Sequence, residues 1–409
     1  MNPHSSPNLS SAPSRKILQI ILLVSTAHAL VHLLEQSLAS VEEVITDSFE
    51  ESGWLGLALR LPYGIGAVFA GMLADRFGSK RILVLYLLGA GVVAASIHWT
   101  STGSLMWQMV MLGTFASMYH PAGLALLANE TTLENRSRAL GIHGVFGSLG
   151  IAAAPFLAGA MFSIRPGDWR GYYLLLGGVS VVTGIVIWLL LRPTPRKQLV
   201  ERSSPATGQD PAAAPKFQPL PYALLVSGAA LGGMVYSGTI HFLPRYLNEA
   251  RVFDWMGSNL DAKAIGNYAA AVALICGAAG QWVAGRLARP DRLPLMLCIV
   301  YAANIPCLLW MMMADGVWRL VAACLWAFCH FMNQPVYNSL LPEFLSPERR
   351  SSGFGFSAVM GFGVGALGPP VFGMFGGFAW GYPTMAGLAL LAALLPLPLI
   401  QRVKRRNTL

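Results

Sequence analysis

Charge is scarce in this sequence. Of its 409 residues only 11% are Asp, Glu, Lys or Arg, against 55% hydrophobic, and the mean hydropathy is +0.54. A soluble chain of this length needs a charged coat, and these charges are too few to supply one. Lipid is the solvent that such a surface suits. Cysteine is also sparse. The five residues Cys276, Cys298, Cys307, Cys324 and Cys329 lie in apolar runs with no CxxC pair, which argues against a disulfide framework or a zinc knuckle. No Walker loop occurs, so ATP-driven transport is not expected, and no soluble catalytic motif suggests an enzyme. A basic domain is missing too. The formal net charge of +9 is dispersed over short loops, so nucleic acid is not an expected partner. The first 16 residues are polar and lead into an apolar run of about 25 without a clear cleavage site. That run is too long for a signal-peptide core and reads as a retained first span.

What the chain does have is apolar stretches of about 20 residues, the length that crosses a bilayer. They fall near 17–41, 53–74, 82–99, 104–128, 139–163, 172–191, 221–247, 264–287, 293–313, 317–341, 353–378 and 381–401, and are numbered here as spans 1 to 12. The expected fold is all-α and integral to the membrane. The segment 192–220, rich in Pro, Ala and charge, reads as a linker between six-helix bundles at 17–191 and 221–401, with short tails at 1–16 and 402–409. Lys and Arg concentrate on one side: Arg15 and Lys16, Arg76, Lys80 and Arg81, Arg136 and Arg138, Arg286, Arg289 and Arg292, Arg349 and Arg350, and the C-terminal tail. The opposite loops carry Glu42, Glu43, Asp47, Glu50 and Glu51. By the positive-inside rule both termini are cytoplasmic, in the inner membrane, and an even number of spans is required.

The two halves repeat. Residues 121–137 align without a gap on 335–351, an offset of 214 positions. The same offset pairs Gly71 with Gly285, Gly141 with Gly355, Gly147 with Gly361, Pro155 with Pro369 and Gly159 with Gly373. Parallel repeats related by an axis along the membrane normal are a signature of carriers that rock around a central site.

The loop between spans 2 and 3, from Gly71 through Asp75, Arg76 and Gly78 to Arg81, reads as a tight turn, with Asp75 capping a helix end beside a basic cluster. It resembles the GxLaDrxGrkr loop of the major facilitator superfamily. That resemblance implies a fold of twelve helices in two pseudo-symmetric six-helix bundles. It also implies a cytoplasmic latch built on Asp75, with Arg349 or Arg350 as partner. The matching loop from Gly285 to Arg292 has Arg289 in place of the acid, so a second latch there is expected to be weaker. Gly150 to Gly159 resembles the GxxxGPxxGG pattern of family antiporters, with Ala at two glycine positions, and implies an efflux antiporter. Ordinary small-residue packing explains it equally. Span 4 has Met109 where drug antiporters carry arginine, followed by Tyr119-His120-Pro121. With the polar first span, this resembles the fosmidomycin-resistance-like branch of the superfamily.

Ionisable groups inside a membrane are costly and mark function. In span 1, His28, His32 and Glu35 recur at i, i+4 and i+7, on one helical face, with Gln36 adjacent. Glu35 reads as the only acid well inside a span. Arg60 in span 2 lies at a similar depth, so an ion pair between them is expected. The family resemblance places spans 1, 4, 7 and 10 around a central cavity. Their polar residues are then candidates: Tyr119 and His120; Tyr236 and His241; His330, Asn333, Gln334, Tyr337 and Asn338. Two chemistries suit them. Histidine and glutamate exchange protons near neutral pH, which fits a proton-coupled carrier of a small organic solute. Alternatively His28, His32 and Glu35 could bind a divalent transition metal as cargo. A non-transporting signalling or scaffold protein on the same fold is a third reading. No cofactor is expected beyond a proton or other coupling cation. The expected partners are a small-molecule substrate and the lipid bilayer, around a monomer.

Overall fold

The computed structural model describes residues 15–131, 133–192, 217–250, 261–346 and 349–400, with side chains excepted at 133–137 and 351. Helices account for the spans, and no strand occurs among the described residues. Eleven helices are long and apolar enough to cross a membrane, each burying about a third to a half of its window inside the protein. Their remaining apolar surface faces outward, as at Trp107, Ile164 and Met313, all more than 70% exposed. Lipid is the solvent for these faces.

The twelfth crossing is span 10, which is broken into Val317–Phe331 and Asn333–Leu340. Pro335 lacks the N–H that would reach back to Phe331. Span 4 breaks in the same way, into Leu105–Ala116 and Tyr119–Glu130, four residues before Pro121. The breaks obey the 214-residue offset, so the repeat read in the sequence is a repeat of helix geometry.

Span 2 runs Phe49–Phe77, started by Ser48, whose hydroxyl accepts from the Glu51 N–H at 3.2 Å. It ends at Gly78, at φ 90°, a conformation that favours glycine. Asp75 lies inside the last turn; Gly78, not Asp75, caps the helix. Span 1 also departs from expectation. Its helix ends at Ser37, and a turn leads into a short helix, Glu42–Ile45, in which Glu42 is buried. Span 11 is irregular, with a π-helical turn at Val359–Val364 between Arg350–Ala358 and Gly368–Gly373.

The two halves meet most tightly on the face that carries the acidic loop 42–51. A methyl on Gly53 of span 2 would sit 2.7 Å from the Pro369 carbonyl oxygen of span 11. Further along the same helix pair, a methyl on Gly64 would lie 2.6 Å from the Gly363 Cα. Toward the basic loops the helices diverge. A methyl on Gly141, Gly285 or Gly355 would meet nothing within 4 Å. The described helices thus form a V in this sense: closely packed at the acidic face and without such close approaches at these three glycines near the basic loops. The expected linker, apart from residue 192 and residues 217–220, lies outside the described residues, as do most of the N-terminal tail and the C-terminal tail.

Candidate functional site

At the apex of the V is a cleft lined by Glu35, Arg60, Tyr63, Tyr236, Ser237 and Phe362 with three glycines. It draws on both halves. Span 1 supplies the acid because helical spacing stacks His28, His32 and Glu35 along one edge. His32 Nδ1 lies 2.9 Å from Glu35 Oε2, and His32 Nε2 lies 3.2 Å from His28 Nε2. His28 Nδ1 donates to the His143 carbonyl at 2.7 Å. The expected ion pair is present: Arg60 Nη1 donates to Glu35 Oε1 at 2.6 Å, with Glu35 2% and Arg60 4% exposed. Arg60 Nη2 donates to Gln36 Oε1 at 3.1 Å. Gln36 in turn donates to the Tyr236 hydroxyl of the other half, at 3.1 Å.

Other side chains brace this row. Tyr63 and His120 share a hydrogen bond of 2.8 Å between the phenol and Nε2. Tyr119 donates to the Val24 carbonyl at 2.9 Å, so its oxygen accepts from His143 Nε2 at 2.9 Å. The His143 ring stacks on His28 with centroids 3.8 Å apart. Gly147, one turn further along span 5, leaves room for the His28 ring. In the second half the Tyr236 ring stacks on His330, whose Nδ1 donates to Asn304 Oδ1 at 2.8 Å.

Proton accounting along the row is constrained. A backbone carbonyl only accepts, so His28 Nδ1 carries a hydrogen. A neutral His28 then has a bare Nε2, and His32 must donate to it. That leaves His32 Nδ1 facing Glu35 Oε2. One further proton is needed there, on either the imidazole or the carboxyl, for the contact to be a hydrogen bond. For all three contacts to be hydrogen bonds, the row needs one proton more than two neutral imidazoles and a carboxylate provide.

Not every candidate joins this site. His241 is buried in the acidic-face seal, where its Nε2 lies 2.9 Å from the Ser52 hydroxyl. Gln334 accepts from Gln281, which also accepts from Ser148 at 3.0 Å, closer to the basic face. Tyr337 bonds the Ser357 hydroxyl at 2.6 Å; Asn333 is partly buried and Asn338 is exposed. The gate residues Asp75, Arg76, Gly78, Arg81, Arg349 and Arg350 are all exposed at the open end, with Gly71 facing only Pro121 of its own half. Arg349 lies over the Phe217 ring, 4.8 Å from its centre. The metal trio changes membership. Nitrogens of His28, His32 and His120 lie within 4.8 Å of one another, while Glu35 turns to Arg60 and to His32 Nδ1.

A second buried acid lies beyond the end of span 1. Glu42 is 1% exposed and accepts two hydrogen bonds from Arg245, at 2.9 and 2.7 Å, across the two halves. Arg245 also donates to the Thr46 and Asp47 carbonyls at 2.6 and 3.1 Å. The signal was available: an arginine inside the apolar stretch 221–247 demands an acid, and Glu42 follows the end of span 1. His143 and Tyr63 had no such signal, because their roles arise from contacts 115 and 57 positions away in the chain. In span 4, Met109 is fully buried in the core of the first half.

Comparison with known proteins agrees with this geometry. The chain is 26% identical over 293 residues to the probable L-galactonate transporter of Escherichia coli (strain K12), covering 66% of this chain and 61% of that one. It is 30% identical over 175 residues to a puromycin resistance protein of Streptomyces alboniger, covering 42% and 34%. The matched region thus spans less than two thirds of either relative's own length. Two solved structures share the fold. The xylose transporter of E. coli in an inward-open conformation aligns at a TM-score of 0.73 and 12% identity, covering 93% of this chain and 95% of that one. A bacterial homologue of the human lysosomal transporter Spinster aligns at 0.66 and 15%, covering 96% and 97%. The model of the Major Facilitator Superfamily matches residues 24–369. With eleven membrane-length helices and one broken crossing among the described residues, and a polar cleft between two halves, the chain belongs to the Major Facilitator Superfamily.

Proposed function

We propose that this transporter moves a small organic solute by alternating access and couples it to a proton held by the Glu35–His32–His28 row. The observation that carries this reading is the proton count above: three matched contacts need one proton beyond neutral imidazoles and a carboxylate. Arg60 links the row to the cleft, and Gln36 links it to Tyr236 in the opposing half. Loading or losing that proton therefore acts on contacts that must change when the halves rock. The bundles 17–191 and 221–401, joined through 192–220, are the moving bodies in this reading. The basic face is cytoplasmic by the positive-inside rule, with both termini on that side of the cell membrane. The V is then an inward-open state.

The antiport expectation rested on Gly150 to Gly159. A methyl on Gly159 would come 3.0 Å from the Ala264 carbonyl oxygen, and Gly150 lies against Ala29. Close packing accounts for both, so direction is read from coupling rather than from this pattern. The relatives' names include a sugar acid and an antibiotic, and do not choose between import and export.

Glu35→Gln in proteoliposomes is the direct test. The variant keeps the side-chain shape and removes the titratable group. Proton-driven accumulation should vanish while exchange of solute across the membrane persists. Accumulation at the wild-type rate under a pH gradient would discard the proton reading. Uptake that responds only to divalent metal would favour the histidine trio as a metal site.

A further inference from the structure

The charge balance of the cleft points to a substrate class, and this inference rests on the proton reading above. Among the described residues lining the cleft, Arg60 is the only cation and Glu35 the only acid. Every group facing Glu35 can be assigned. Arg60 comes from span 2, His32 from its own helix, Tyr63 and His120 from spans 2 and 4, and Tyr236 from span 7; His28 stands behind His32. His120 shares one hydrogen bond with the Tyr63 phenol and is satisfied as a neutral ring. His143 donates to the Tyr119 oxygen and to nothing that requires a second proton. Glu42 and Arg245 balance each other in the acidic-face seal.

Without the extra proton, Glu35 and Arg60 cancel. With it, the cleft carries one net positive charge, whether the proton sits on His32 or on Glu35. A buried net charge is unfavourable unless a counter-charge joins it. We propose that the counter-charge is the substrate: a small organic anion whose carboxylate, or equivalent oxyanion, is held by Arg60 and enters together with one proton. Arg60 donates one N–H to Glu35 and one to Gln36, and the other N–H groups of its fork can take an oxyanion. The Ser237 hydroxyl donates to the Gly365 carbonyl, so its lone pairs remain to accept from a substrate hydroxyl. Tyr63, Phe362 and Tyr236 supply aromatic walls. Anion and proton each favour the other's binding by the same factor. Transport of the pair is electroneutral.

The experiment uses the purified full chain in lipid nanodiscs with three probes of one size: gluconate, glucose and glucosamine. Melting-temperature shifts rank them. Calorimetry in two buffers of different ionisation enthalpy counts protons. Gluconate alone should stabilise the protein, with about one proton taken up and a Kd that weakens up to about tenfold per pH unit on raising pH. In Glu35→Gln gluconate binding should lose most of its pH dependence, because the positive charge is then permanent. Binding of glucose or glucosamine in preference to gluconate, or silence from all three, overturns the anion class. Proton uptake accompanying glucose would overturn that class while leaving the proton reading intact. Gluconate binding with no proton uptake would overturn the proton reading, and this charge balance with it.

Discussion

Glu42 and Arg245, 203 positions apart, form a two-pronged ion pair across the seal between the halves, at 2.9 and 2.7 Å. Neither side chain is more than 4% exposed. This pair must separate whenever the acidic face opens. Removing one partner of a buried pair costs about 3–5 kcal/mol, because the other charge is left without compensation. In Glu42→Gln that loss falls on the sealed state alone. The population should shift toward opening at the acidic face by about a hundredfold or more. Spin labels on Val44 and Lys263 should report a longer mean distance. An unchanged distance distribution would show that the apolar contacts of the seal hold it without the pair.

His32 sits between Glu35 and His28, and no other described side chain bridges them. His32→Asn should leave the Glu35–Arg60 contact in place, so solute binding survives. The dependence of transport on pH should flatten, because the row from Glu35 to His28 is cut at its middle member. A profile identical to the wild type would move the coupling role off this row.

Gly64 faces Gly363 so closely that a methyl group would overlap the opposing backbone. Gly64→Val should therefore prevent the acidic-face seal from forming around the apex. Cross-linking of cysteines placed at Ser40 and Lys263 should fall several-fold, and solute exchange should stop. Normal cross-linking with normal exchange would mean that spans 2 and 11 can slide apart at no functional cost.

Asp75 is exposed at the basic end of the molecule, and the latch role that the family resemblance implies for it has a direct test. Asp75→Asn should favour the V-shaped state and slow turnover several-fold, with the melting temperature within a degree or two of wild type. If turnover and the ratio of the two states are both unchanged, Asp75 has no latching role.

The spans were legible because lipid imposes one length and one polarity on every crossing helix. The Glu35–Arg60 pair was legible for a related reason: both groups are too costly to leave alone, and neighbouring spans at matched depth leave few partners. His143 was not, since its place beside His28 depends on how spans 1 and 5 cross, which no single helix encodes. The place of His241 was hidden for the same cause. It lies on a cavity-lining span by resemblance, yet the short helix Glu42–Ile45 and Ser52 close over that end. The break in span 10 was carried by Pro335, but a proline within a membrane span is tolerated often enough that its effect is decided by the neighbours that cover the freed carbonyl.

That break bears on how the protein is made. Val317–Phe331 has 15 residues and, at 1.5 Å each, reaches about 22 Å, short of the ~30 Å hydrocarbon layer. The remainder, Asn333–Leu340, carries two asparagines, a glutamine, a serine and a tyrosine in eight residues. Neither piece is a self-sufficient insertion signal for the translocation machinery. Span 10 lies against spans 8 and 9, which supply the cover that lipid cannot. Its integration is then expected to follow the entry of its neighbours into the bilayer. A nascent chain halted near residue 345 should integrate span 10 only when spans 8 and 9 precede it, which glycosylation mapping of truncated chains would report.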